Sequence, residues 1–151
     1  MFKPTKYTIV SGIGRSKYPL VAFDAALQDA GIGDYNLVKV SSIMPANCEY
    51  RDKIEIENGS IIFTAFATMT ITEGETGSTG VAVAIPINPE HSGVIFENSA
   101  QDFSAEKNVI AMAKQAMENR NKEYAEIKSS SKTATGEKGI FTSIISAVSM
   151  W

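Results

Sequence analysis

The sequence predicts a single α+β domain, and three observations carry that class. Period-two alternation recurs in several segments, most clearly from Ile61 to Ile71 and from Val81 to Ile87. The spacing switches to the helical period in two places only, after Pro19 and after Ser104. Turn chemistry separates these stretches, and neither an internal repeat nor a linker divides the 151 residues.

In order, Tyr7 to Val10 is a short β candidate, followed by Ser11-Gly12-Ile13-Gly14-Arg15-Ser16. The two glycines invite a phosphate-loop reading, but no Gly-Lys-Ser/Thr follows them, so the stretch is expected to be a flexible connection. Pro19 opens a helix in the way an N1 proline does, and Gly31 closes it at C′. Leu20, Phe23, Leu27 and Ala30 fall at helical spacing as its expected buried stripe, with Asp24 beside them as a boundary carboxylate.

Gly31-Ile32-Gly33-Asp34 turns the chain into the segment from Asn36 to Pro45. Alternation there puts Val38, Val40 and Ser42 on one face and Leu37, Lys39 and Ser41 on the other, so Lys39 is opposed to Ser42 and a Ser-Lys nucleophile pair is disfavoured. Pro45 lacks an N–H and restricts Met44, so the strand is expected to end just after two adjacent serines. Asn58-Gly59 signals a hairpin between Lys53–Glu57 and the strand Ile61–Ile71, whose odd positions are apolar and whose even ones are mostly threonine. Glu73 to Gly80 reads as a turn-rich connection. In the run that follows, Val81, Val83, Ile85 and Ile87 form a bulky face and Ala82 and Ala84 a small one, which suits cover by a helix.

Gly93 to Glu97 is a short strand whose apolar residues lead straight into a carboxylate. Desolvation there raises a carboxyl pKa, as a general acid requires. Ser104 is the expected N-cap of a helix to about Asn121 with Val109, Met112, Ala113, Ala116 and Met117 as its stripe. Tyr124 to Lys132 and Ile140 to Trp151 complete the chain as strands.

Composition narrows the function classes. With 44% hydrophobic and 21% charged residues and a net charge of −3, the chain has the make-up of a globular domain and lacks a basic field for nucleic acid or an anionic membrane. No apolar run is long enough for a membrane span, and Met1-Phe2-Lys3-Pro4-Thr5-Lys6 has no signal-peptide core. Cys48 is the only cysteine and His91 the only histidine, so neither a disulfide nor a Cys/His metal site is expected, and the chain reads as cytoplasmic.

Taken alone, Ser41-Ser42 is a pair of turn residues. In its context it resembles the processing site of the pyruvoyl-dependent arginine decarboxylase family. The residues that carry the resemblance are Pro19-Leu20-Val21-Ala22-Phe23-Asp24-Ala25-Ala26-Leu27, Ala30-Gly31-Ile32-Gly33, Asn36 through Pro45, and Ser92-Gly93-Val94-Ile95-Phe96-Glu97.

The resemblance implies an αββα sandwich. It implies self-cleavage of a zymogen into a small β chain, residues 1–41, and a large α chain, residues 42–151, whose first residue, Ser42, becomes a pyruvoyl group. Ser41 becomes the carboxyl end of the small chain. Asn36 is then expected to orient the pyruvoyl carbonyl, Glu97 to return a proton to the substrate, and Asp24 to bind the guanidinium of arginine. No metal is implied. The product from arginine would be agmatine, and processed protomers would associate as homotrimers with sites at the interfaces.

Two other readings stand beside it. One keeps the chemistry and changes the amino acid. The other is an unprocessed structural or regulatory relative in which Ser41-Ser42 stays intact. Cys48-Glu49-Tyr50 and Asn98-Ser99-Ala100-Gln101 carry no assignment from the resemblance.

Overall fold

The structure is a computed structural model that describes residues 1–151. Eleven elements follow in chain order: β1 (Lys6–Ser16), α1 (Pro19–Asp29), β2 (Asn36–Lys39), β3 (Ile43–Met44), β4 (Glu49–Tyr50), β5 (Ile61–Ile71), β6 (Thr76–Pro86), β7 (Gly93–Ala100), α2 (Ala105–Asn119), β8 (Tyr124–Thr135) and β9 (Phe141–Met150). The strands form two sheets, one ordered β2-β5-β9-β1-β4 and the other β3-β7-β6-β8. Helix α1 covers the outer face of the first sheet against β1 and β9, and α2 covers the outer face of the second against β6, β7 and β8. The result is the αββα sandwich.

Each layer has its own apolar filling. Between the sheets, Val81, Val83 and Ile95 of the second meet Tyr7, Ala65, Val148 and Met150 of the first. Ala82, Ala84 and Val94 point the other way, onto Val109, Ala113, Ala116 and Met117 of α2. The small face of β6 is thus covered by a helix, as its alanines suggest. Part of the inter-sheet layer is polar: the Ser11 hydroxyl lies 2.7 Å from those of Ser130 and Ser146, and Thr79 Oγ1 lies 2.8 Å from Ser146 Oγ. These hydroxyls satisfy one another, which removes the cost of burying them.

The glycine-bearing stretch at residues 11–16 is not a connection. It is the second half of β1, paired with β9 without a break from Tyr7↔Met150 to Ser16↔Phe141. A Cβ at Gly14 would overlap the backbone of Ala22, Ala25 and Ala26, and one at Gly12 would overlap the Ala26 carbonyl and come within 2.7 Å of Ala30 N. These glycines exist so that α1 can lie directly on the strand. The same contact explains why the buried stripe of α1 is Ala22, Ala26 and Ala30, flanked by half-buried Phe23 and Leu27, while the expected Leu20 is 78% exposed. Replacing Gly14 with Ala should cost about 1–3 kcal/mol, since the clash is with helix backbone that cannot rotate away. A lower urea midpoint with an unchanged m value would register this, and an unchanged midpoint would contradict it.

Three other expectations need correction for related reasons. Strand β6 begins at Thr76, so the turn shrinks to Thr72–Glu75, where the Glu75 carboxylate accepts from the Thr72 N–H at 2.8 Å. Gly80 sits inside that strand because a Cβ would lie 2.9 Å from the Ala105 backbone at the start of α2. Residues 53–57 form no strand: Asn58-Gly59 does turn, with Gly59 at φ +85°, but Ile54 and Ile56 pack as irregular chain against the cluster under α1. Finally, Ser104 does not cap α2 through its side chain. The Ser78 hydroxyl of β6 accepts from the Ala105 N–H at 3.2 Å instead.

Candidate active site

The segment from Asn36 to Met44 is not one strand. It is β2 on the edge of the first sheet, a three-residue crossing at Val40–Ser42, and β3 on the edge of the second. Two backbone hydrogen bonds pin the crossing. The Val40 N–H donates to the Thr64 carbonyl of the first sheet at 3.1 Å, and the Ser42 carbonyl accepts from the Ile95 N–H of the second at 2.8 Å. The Ser41–Ser42 peptide therefore spans the seam where the two sheets come together at one edge. Ser41 is exposed and makes no hydrogen bond, whereas Ser42 is half-buried.

Glu97 comes to the same seam from β7. Ile43 pairs with Val94 and Ser42 bonds to Ile95, so Glu97 lies two residues farther along, roughly 7 Å at the rise of a strand. Alternation puts it on the side of Ile95, toward the first sheet, with Val81 directly across on β6. Burial among these apolar neighbours raises the Glu97 carboxyl above its ordinary value. The positive charge of Lys39 and a backbone N–H pull the other way without cancelling it. A carboxyl so placed holds its proton to higher pH than a solvated one, as proton donation requires.

The other two candidates lie elsewhere in the chain. Asn36 starts β2, and its side chain donates to the Gly59 carbonyl at 2.8 Å. Because the strand ends at Lys39, the extended distance from Asn36 covers three residues, roughly 10 Å, and not the six that a continuous strand to Ser42 would span. Asp24 is exposed on α1, on the outer side of the first sheet, while Glu97 faces the inner side of the second. The fold thus brings Ser41, Ser42 and Glu97 together, leaves Asp24 on the other side of the first sheet, and sets Asn36 at the start of β2.

Two anchoring contributions have no signature in sequence, the Ile95 N–H and the Thr64 carbonyl, because any residue supplies those groups. Lys39 was legible only as a nearby base. Its ammonium stands 4.6 Å from the centre of the Phe66 ring, a cation–π contact that holds it on the α1 side of the sheet.

Cys48 and His91 line a separate cavity of about 120 Å³ next to Met44 and Gly93, which contains none of the five site residues. Burial pushes the Cys48 thiol up to about 11, which keeps it from acting as a thiolate nucleophile near neutral pH. Asn98, also without assignment from sequence, accepts at 3.2 Å from Asn108 of α2 and so ties β7 to that helix next to Glu97. No helix is long and apolar enough to cross a membrane.

A pyruvoyl group formed at position 42 is compatible with these surroundings. The carbonyl that would join it to the rest of the large chain is the one already held by Ile95, and Glu97 stands two residues farther along the same strand.

Comparison with known proteins bears on the same residues. The sequence model of the family described as "Pyruvoyl-dependent arginine decarboxylase (PvlArgDC)" matches residues 6–151. The protein of that name from Methanococcus aeolicus is 40% identical over 151 residues, covering 98% of this chain and 90% of its own length. The one from Methanococcus vannielii is 39% identical over 127 residues, 82% of this chain and 77% of its own. The one from Methanocaldococcus jannaschii is 37% identical over 138 residues, 89% and 84% respectively. This chain belongs to the pyruvoyl-dependent arginine decarboxylase family.

Proposed function

We propose that this member of the pyruvoyl-dependent arginine decarboxylase family cleaves itself between Ser41 and Ser42 and then converts L-arginine to agmatine and CO₂. The observation that carries the reading is the meeting of the Ser41–Ser42 peptide with Glu97, whose carboxyl pKa is raised by burial, at the seam between the sheets. The names of the relatives supply the substrate.

In the processing step, Ser42 Oγ adds to the Ser41 carbonyl carbon and the C–N bond breaks, leaving an ester and a free amine. Loss of the Ser42 Cα proton expels the Ser41 carboxylate. Water then replaces the nitrogen as ammonia. Residues 1–41 end in a normal carboxylate, and residues 42–151 begin with a ketone. The exposed and otherwise unbonded Ser41 suits this, because its carbonyl has no ladder partner to give up.

The ketone supplies an electrophile for the substrate amine and a sink for the electrons released with CO₂. The rest falls to side chains. Glu97 delivers a proton to Cα, and burial raises its carboxyl pKa so that the donating form persists to higher pH than in a solvated carboxyl. Asn36 orients the carbonyl at position 42 through its amide, and Asp24 binds the guanidinium through a charge-assisted pair.

We further infer a homotrimer with the site shared between chains, working in the cytoplasm with no membrane or nucleic-acid partner. The separation of Asp24 from Glu97 within one chain supports sharing, since a neighbour can supply what the chain's own fold keeps apart. Exposed apolar groups flank the parts that would meet: Leu20 and Val21 stand on α1 beside Asp24, and Ile43 adjoins Ser42.

The decisive measurement is CO₂ release by the processed protein from a panel of amino acids. Arginine should be preferred, and Asp24→Asn should raise KM for arginine by about tenfold or more while leaving a neutral amino acid little changed, as loss of a charge-assisted pair predicts. Release from another amino acid and not from arginine would show the same chemistry on a different substrate. A fully active monomer in sedimentation would exclude the shared site.

A further inference from the structure

We propose that Phe2 is a positioning residue for self-cleavage, with residues 1–4 acting as a strap that confines the Ser41–Ser42 peptide. This rests on the processing reading above and adds to it a part of the chain outside the family's matched segments.

The strap is fixed at its base. The N–H groups of Thr5 and Lys6 donate to the Trp151 carbonyl at 3.0 and 3.1 Å, the Trp151 N–H donates to the Lys6 carbonyl at 3.1 Å, and the Thr5 carbonyl accepts from Glu49 at 2.8 Å. Only the residues before Thr5 are then free to choose a direction, and Pro4 narrows that choice by fixing its own φ. They turn toward the crossing. The Phe2 ring lies 5.2 Å from that of Phe63, tilted by 35°, within the range for favourable aromatic pairs. Phe2, Pro4, Val40, Ser41, Ile43 and Phe63 together line a cavity of about 200 Å³.

What the strap adds follows from what Ser41 lacks. The crossing is held at Val40 and at Ser42, each by one backbone bond, but nothing bonds Ser41 itself. Two fixed ends still allow the peptide between them to swing. Attack of Ser42 Oγ needs the Ser41 carbonyl carbon within about 3–3.5 Å and in the right orientation, so every swing away from that geometry lowers the rate. The Phe2–Pro4 wall closes one side of the space into which Ser41 can move. Phe63 of β5, on the large-chain side of the cut, backs the Phe2 ring, so the Phe2–Phe63 contact also spans the two fragments once they are separate.

The test follows conversion of freshly synthesised full-length chain to two fragments on denaturing gels. Phe2→Ala should slow conversion by about tenfold to a hundredfold, and Phe2→Leu, which keeps an apolar wall, should restore most of it. Placed in a Ser42→Ala background, where no cleavage interferes, Phe2→Ala should shift the melting temperature by no more than a few degrees, because Phe2 is 68% exposed and outside the core. Hydroxylamine, which intercepts the ester, should not rescue the rate, since the slowed step precedes it. Equal cleavage rates in wild type and Phe2→Ala, or a lowered melting temperature accounting for the slowing, would overturn the positioning role. A wild-type chain that stays uncut would instead remove the processing reading, and this proposal with it.

Discussion

Ser42→Ala should give one uncut chain of 151 residues with activity at background, the largest effect expected for any single substitution here. The methyl side chain has no oxygen to add to the Ser41 carbonyl, so neither the ester nor the ketone derived from it can form. The fold should persist, because the bonds that hold the crossing are made by the backbone of Val40 and Ser42 and do not involve the lost hydroxyl. In the wild type, the large fragment should be lighter by one ammonia than a peptide beginning with serine at position 42, and should carry no free α-amine. An N-terminal serine at that point would identify a hydrolysed bond and a nucleophile merely set free. A single uncut wild-type chain would support the structural or regulatory reading.

Glu97→Gln should cleave itself as the wild type does and turn over about 10²–10⁴-fold more slowly, the span typical of a lost general acid. The amide preserves size and hydrogen bonding but has no proton to deliver to Cα. The pH dependence carries a sign. Burial raises the folded-state pKa of Glu97, so the protonated, donating form persists above the ordinary carboxylate value of 4.5 and is lost as pH rises through the raised value. The wild-type rate should therefore fall along a limb at that pH, and Glu97→Gln should lack the limb.

The same raised pKa sets a stability effect. The folded chain holds this proton more tightly than the unfolded one, so the contribution is full below the unfolded pKa and disappears as pH rises through the folded value. Glu97→Gln should then melt at a higher temperature than wild type near neutral pH, with the difference shrinking in acid, provided both are compared in the processed state. Unchanged turnover in the cleaved variant would take Glu97 out of the mechanism.

Much of the fold was legible because side-chain periodicity is local. Pro19 and Gly31 bracket α1 as their backbone preferences require, and the stripe Val109, Ala113, Ala116, Met117 faces the core of α2 as its spacing implies. The two faces of β6 could be assigned to bulky and small neighbours from Val81–Ala84 alone. The candidate residues Ser41, Ser42, Glu97, Asn36 and Asp24 came from resemblance to a family. Without it Ser41-Ser42 would have remained a turn.

Where the reading failed, it failed on glycine and on strand continuity. Gly12, Gly14, Gly77 and Gly80 looked like punctuation, yet all lie within strands. The absence of a side chain at Gly12, Gly14 and Gly80 answers to a helix approaching from elsewhere in the chain, and that helix is not visible in the residues beside them. The alternation in the first half of the segment Asn36–Met44 gives no sign of the crossing, because alternation records which way side chains point and not which sheet receives the backbone. By itself, then, the sequence determined the class of fold, the two helices and most strands, and family resemblance added the candidate groups. Only the tertiary structure decided that Thr64 and Ile95 pull the chain across from one sheet to the other at Ser41–Ser42, that Glu97 meets it there in a desolvated place, and that Asp24 lies on the far side of a sheet. Those outcomes depend on backbone hydrogen bonds and burial between residues distant in sequence, and neither quantity is a property of any local stretch of residues.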